Sequence, residues 1–150
     1  MSDLTWQEAA PGDESALLAM MNAFYAEDHL AFDAARARAA VRELLATPAH
    51  GRILLLRDTA PEARGYLVLT VGFSLEFGGR FALLDEFYVA PALRGRGLGR
   101  QALDVVATWT RAQGIATVRL EVTHTNPRAR ALYLTAGFAD DRRDLLTRWL

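Results

Sequence analysis

The stretch VAPALRGRGLGRQAL, residues 89–103, decides how the rest of the chain is read. It follows a β-rich run and opens a helical one. Gly95, Gly97 and Gly99 permit positive φ and let a ligand approach the backbone closely. Successive amides at the start of a helix make an anion site, and Arg94, Arg96 and Arg100 add charge with no acid between Glu86 and Asp104. Hydrogen bonds to charged groups contribute about 1.5–3 kcal/mol each, so several hold a pyrophosphate usefully. The plain alternative is a flexible glycine loop with solvated arginines.

Downstream of this turn, 97–112 reads as a helix ended near Gly114, and 117–122 (TVRLEV) as a strand. Asn126-Pro127 starts a further helix, because asparagine accepts from orphan amides and proline needs no donor at the first helical position. Gly137 is its natural C-cap. Phe138 onward, with Leu145–Leu150, is expected to add one or two final strands. Upstream, 80–89 is a long strand after the Gly78-Gly79 reversal, and 52–57 and 65–71 are β-rich runs joined by a turn. Residues 4–9 read as a short strand before Pro11-Gly12. Asp13 and Asp33 look like N-caps of two helices, with Leu17, Met20, Met21 and Phe24 on one face of the first and Ala37, Val41, Leu44 and Leu45 on one face of the second.

The order β-α-α-β-β-β-α-β-α-β(-β) implies an α/β fold with a mixed sheet of six to seven strands and helices on both faces. The strands at 80–89 and 117–122 are expected to be parallel neighbours. Residues 1–150 make one domain, at 16.5 kDa without repeat or linker. The chain has no cysteine, which excludes thiolate metal sites and a cysteine nucleophile, and His29, His50 and His124 show no metal-ligand spacing. No apolar run approaches the ~18 residues that span a bilayer, and Met1-Ser2-Asp3 opens no signal peptide, so a cytoplasmic protein with no membrane partner is expected.

All 17 basic residues are arginine. Residues 1–90 carry 13 acids against 7 arginines, a balance of −6; residues 91–150 carry 5 acids against 10 arginines, a balance of +5. Such a split suits an anion in the second part and a cation in the first, although paired surface charges can also fall this way. A nucleic-acid module would need a broad basic face with aromatic platforms, and the pI near 6.3 argues against one. A P-loop is excluded because there is no lysine. A dinucleotide fold gains Glu121 as a ribose acid, but the glycines run G-x-G-x-G, the turn follows the third strand, and too little chain remains for a second half.

Arg94-Gly95-Arg96-Gly97-Leu98-Gly99 resembles the R-x-x-G-x-G acetyl-CoA signature of the GCN5-related N-acetyltransferases (GNAT). NPRARALYLTAGF, residues 126–138, resembles that family's N-x-x-A-x-x-L-Y-x-x-x-G-F segment. Both stand in the right order, Gly99 and Asn126 being 27 residues apart. The resemblance covers residues 80–138 and, through element order, most of the chain. It implies acetyl-CoA in the gap where two central parallel strands splay. The pyrophosphate would lie on amides from Arg94 through Leu98 to Arg100, and pantetheine would pair with the backbone of Phe87, Tyr88 and Val89 and contact Asn126. It implies an enzyme that moves an acetyl group to a primary amine of a small molecule in a ternary complex. A protein or peptide N-terminus as acceptor, or a CoA-binding relative without catalysis, stays open. A homodimer is the family's common habit.

Such transfer has a proton problem. An alkyl ammonium of pKa ~10.4 costs about 4 kcal/mol to deprotonate at pH 7, so a base is expected, and the leaving thiolate needs an acid. The resemblance assigns the acid to Tyr133, whose plain alternative is a core aromatic. For the base two candidates stay open: Glu86, on the strand beside the cofactor, and Glu121, twelve residues before Tyr133. Strict alternation would put Asp85 and Glu86 on opposite faces, and a bulge common in the family could exchange them. The first two helices and the hairpin region would form the acceptor pocket, with Tyr25, Glu27, Asp28, Phe73, Glu76 and Asp85 as lining candidates. Their acidity suits a cationic, polyamine-like amine.

Overall fold

Alternation in the apolar runs divides the molecule into two cores, one on each side of a sheet. The structure, a computed structural model, describes residues 3–150; Met1 and Ser2, part of the expectation of no signal peptide, lie outside them. In chain order the elements are β1 (Thr5–Glu8), α1 (Glu14–Glu27), α2 (Ala34–Ala46), β2 (Gly51–Arg57), β3 (Gly65–Ser74), β4 (Gly79–Val89), α3 (Leu98–Ala112), β5 (Val118–Leu120) and α4 (Pro127–Thr135). The sheet order is β1-β2-β3-β4-β5, antiparallel throughout except for the parallel β4–β5 pair. Ile53, Leu55, Tyr66, Val68 and Tyr88 pack under Leu17, Leu18 and Met21 of α1 and Ala37 and Val41 of α2. Leu54, Leu67, Leu69 and Leu84 pack against Ala102, Leu103 and Val106 of α3, with Leu132 and Tyr133 of α4 beside them.

Local signals set most boundaries. The Asp33 carboxylate accepts from the Arg36 amide at 3.0 Å and starts α2. Glu14 accepts from Arg38 at 2.8 Å and Arg42 at 2.7 Å, tying the two helices of one face. Asp13, in contrast, does not cap α1. Its carboxylate turns back to the Ala10 amide at 2.7 Å and to Arg57 at 3.0 Å, so a charge partner on β2 outcompetes the helix amides.

Two further expectations are corrected. β5 ends at Leu120, not at residue 122, and no strand follows Phe138, so the sheet has five strands and not six or seven. The apolar residues of the final segment, Leu145, Leu146, Trp149 and Leu150, fall in adjacent pairs and not in alternation, so no strand face would bury them. They stay 71–108% exposed. The charged run before them is held by side chains: Arg130–Asp140 at 2.7 Å, Arg119–Asp141 at 3.7 Å and Arg143–Glu76 at 2.6 Å.

One irregularity positions the site. Val68 pairs with Glu86 but Leu69 pairs with Leu84, so Asp85 is an extra residue in β4. Such a bulge reverses the facing of everything after it. Leu84 packs toward α3, whereas Tyr88, four residues on, packs toward α1. Gly65 faces Val89 across this end of the hairpin, and a Cβ there would stand 2.7 Å from the Tyr88 carbonyl oxygen. Gly65→Ala should therefore destabilise the protein by about 1–3 kcal/mol. Urea unfolding checks this; an unchanged midpoint would refute the close approach.

Candidate active site

The β4–β5 ladder is short. It runs Ala82↔Val118, Leu83↔Arg119, Leu84↔Leu120 and stops where the bulge begins. From Asp85 to Val89 the edge of β4 that faces β5 has no strand partner. Past Leu120 the chain leaves the sheet and re-enters as α4, where the Asn126 side chain accepts from the Ala129 amide at 3.1 Å. The parallel strands thus part toward their C-terminal ends, and the gap opens onto the glycine-arginine turn.

That turn is built for an anion. Gly95 and Gly97 hold φ of 77° and 78°, the left-handed region that glycine adopts without Cβ strain. Gly97 is the N-cap of α3 and offers no side chain, and the first turn carries no acid. Gln101 is the first amide of the helix with an internal acceptor, the Gly97 carbonyl at 3.1 Å. The amides from Gly95 to Arg100 before it have none among the described residues. Gly99 lets α3 lie close to α4, since a Cβ would meet Leu132 Cδ2 at 2.8 Å.

The arginines divide their work. Arg94 turns inward: its Nε donates to the Val89 carbonyl at 2.8 Å, its Nη2 donates to both Glu27 oxygens at 2.8 Å, and it lies 5.6 Å from the Tyr88 ring centre. Arg100 stands 4.0 Å from Asp104, and Arg96 is exposed. Arg128 of α4 brings a further guanidinium, 3.5 Å from where a Gly95 Cβ would be. Sequence reasoning missed Arg128 as a neighbour of the turn; its place directly after Asn126-Pro127 is the signal that would have found it.

On the other side of the gap, the bulge presents Glu86 to α1. The Tyr25 hydroxyl donates to Oε2 at 2.6 Å and the Tyr66 hydroxyl to Oε1 at 2.7 Å. Burial pushes the Glu86 carboxyl above its usual range, the two phenols pull it back, and the Asp85 charge adds to the rise; the net direction is up. The Asp85 carboxyl, although solvent reaches it at the bulge, is also pushed up by partial desolvation. Both phenols are pushed up by burial and by the carboxylate that they face. Tyr66 is fully buried, and sequence reasoning passed over it as one polar tip in the apolar run GYLVLTV.

Tyr133 sits half-buried on α4, its ring edge-on to Phe138 with centres 6.0 Å apart. Burial first, and then the Asp28 charge, push its phenol up, so it holds its proton at neutral pH. Asp28 ends α1, which puts the last turn of α1 within electrostatic reach of α4 across the gap. Glu121 lies exposed beyond β5, and its neighbour Arg119 pairs with Asp141 and lies over the Phe77 ring at 4.8 Å. Of the lining candidates, Tyr25 and Asp85 stand at Glu86, Asp28 acts on Tyr133 across the gap, and Glu27 is engaged by Arg94. Phe73 and Glu76 do not join them. They belong to the β3–β4 hairpin tip, seven residues of strand and about 23 Å from Glu86, where Arg143 holds Glu76 at 2.6 Å.

The geometry is matched by known proteins. A family model described as Acetyltransferase (GNAT) family matches residues 18–138. "Uncharacterized N-acetyltransferase YhfO" of Bacillus subtilis (strain 168) is 25% identical over 135 residues, 90% of this chain and 89% of that protein. An integron cassette protein from the mobile metagenome of Cole Harbour Salt Marsh is 36% identical, with a TM-score of 0.84 over 97% of this chain and 90% of that one. The structure of aminoglycoside N-acetyltransferase AAC(6')-Iy in complex with CoA superposes with a TM-score of 0.86 at 14% identity, over 99% of this chain and 96% of that one. With splayed parallel strands, an uncapped glycine turn and a family match over most of its length, this chain belongs to the GNAT family of acetyltransferases.

Proposed function

We propose that this acetyltransferase binds acetyl-CoA in the β4–β5 gap and acetylates a primary amine of a small, positively charged molecule. The observation that carries this is the β4 edge without a strand partner, Asp85 to Val89, where Arg94 takes the Val89 carbonyl, followed after the turn at 90–94 by six amides without internal acceptors, Gly95 to Arg100. An extended amide-bearing chain ending in a diphosphate suits that order: strand-like hydrogen bonds first, then an anion cradle with Arg96, Arg100 and Arg128 around it. The CoA complex of the similarly folded AAC(6')-Iy supports the same reading.

When bound, acetyl-CoA supplies a thioester carbonyl for the amine to attack and departs as a thiol. The residues of this chain handle the protons. Glu86 accepts one from the substrate ammonium, directly or through water, freeing the nitrogen lone pair. Its raised proton affinity makes it a better base than a solvated carboxylate. Tyr133 holds its proton and donates it to the leaving sulfur as the C–N bond forms and the C–S bond breaks. The second amine proton replaces the one that Tyr133 gave, so one proton is released to solvent per turnover. Asp28 and Asp85 supply negative charge for a cationic acceptor, and aminoglycosides, the class named for AAC(6')-Iy, are polycationic amines of this kind.

Mass spectrometry of the purified protein and calorimetric titration with CoA test the reading directly; no bound CoA and no heat of binding would end it. Tyr133→Phe should lower kcat by about 100-fold or more, while the KM for acetyl-CoA changes little. Glu86→Gln should remove the acidic limb of the pH profile of kcat/KM, and Glu121→Gln should keep it. That limb should lie above the ordinary carboxylate range near 4.3 and below the amine's own titration near 10. Loss of the limb in Glu121→Gln alone would transfer the base role to Glu121.

A further inference from the structure

We propose that Tyr66 is a positioning residue for acetyl transfer, its buried hydroxyl fixing the Glu86 carboxylate in one orientation and holding it in the proton-accepting form. The inference rests on the reading of Glu86 as the base. Tyr66 is 0% exposed, so it touches no substrate and can act only through what its hydroxyl reaches. That group is Glu86 Oε1, at 2.7 Å. The ring cannot swing away, being packed against Tyr88 at 6.0 Å and edge-on to Phe24 at 6.3 Å. With Tyr25 on Oε2, the carboxylate cannot rotate without breaking a bond at each oxygen, while each oxygen keeps a lone pair for a proton.

Several charged or titratable groups face Glu86 or its neighbours, and Tyr25, Tyr66 and Asp85 act on its proton. From α1 come Tyr25 and, at the helix end, Asp28; from β3 comes Tyr66; from β4 come Asp85 and Tyr88. Burial and the Asp85 charge favour the protonated acid, and the two phenol donors favour the carboxylate. Arg94, over the Tyr88 ring, is engaged by Glu27. The phenol bonds thus oppose burial and the Asp85 charge at Glu86, and removing one lets the upward shift grow. Tyr25 stands on the acceptor side and can also meet substrate; Tyr66 isolates the effect.

Tyr66→Phe removes one oxygen and keeps the ring. Losing a donor to the charged form raises the proton affinity of Glu86, so the acidic limb of kcat/KM should move to higher pH by about one unit. Above that limb the rate should return to within about threefold of wild type. Carbon-13 NMR of glutamate-labelled protein should show the Glu86 carboxyl titrating higher by the same amount. In a Glu86→Gln background, Tyr66→Phe should change the rate by less than about twofold, because the partner it acts through is gone. A Tyr66→Phe enzyme that is slower at every pH, with limb and Glu86 resonance unmoved, overturns the inference, as does a full further loss in the Glu86→Gln background. If Glu86→Gln itself keeps the wild-type limb, the base assignment fails and this inference with it; if Glu86→Gln loses the limb and Tyr66→Phe leaves it in place, this inference fails alone. Should Tyr66→Phe not fold, 3-fluorotyrosine placed at position 66 keeps the ring and hydroxyl but makes a stronger donor, so the Glu86 carboxyl should titrate lower, and a resonance titrating as in wild type refutes the inference.

Discussion

A single extra residue in β4 governs the site. Side chains on a strand alternate with a period of two, so only a register slip can turn Glu86 and Tyr88 to the α1 face while Leu84 stays toward α3. Without it, Asp85 and not Glu86 would turn to the α1 face, and Glu86 would be driven into the apolar core under α3. The slip begins where the β4–β5 ladder ends, so the same few residues that re-aim the acid also leave a strand edge open. Acid and gap are two results of one backbone event.

The electrostatic split between the two parts of the chain is partly consumed within the fold. Arg94 with Glu27 and Arg143 with Glu76 each join a cation of the second part to an acid of the first. What remains near the gap is separated by type: Arg96, Arg100 and Arg128 around the turn, and Asp28, Asp85 and Glu86 on the facing side. An excess of six acids over residues 1–90 therefore overstates the field that an acceptor meets, while the position of the leftover acids sharpens it.

Element order through α4 was legible because its signals are local. Asp33 and Asn126 cap the helices they precede, and Gly137 takes a φ of 99° after α4. The paired glycine turn and helix were legible for the same reason, and they carried the family resemblance. What could not be read was set by distant partners. Asp13 answers to Arg57, Arg94 to Glu27 and Tyr66 to Glu86, across 44, 67 and 20 residues. The bulge came into view only through the resemblance, since no composition marks it. The missing final strands were overestimated from apolar content alone, although the pairing of Leu145 with Leu146 and of Trp149 with Leu150 already argued against a strand.

The cationic side chains grouped about the turn are all guanidinium groups, and the chain contains no lysine at all. A guanidinium spreads its charge over a planar fork and keeps its protons throughout the physiological range, so it has no free electron pair to turn on an electrophile. An ammonium in the same place would lose a proton some of the time and compete with the substrate for the activated acyl group. A molecule that must lie against a reactive ester of sulfur has thus been furnished with positive charge that is chemically inert toward it, and no side chain offers an amine that the cargo could modify by accident.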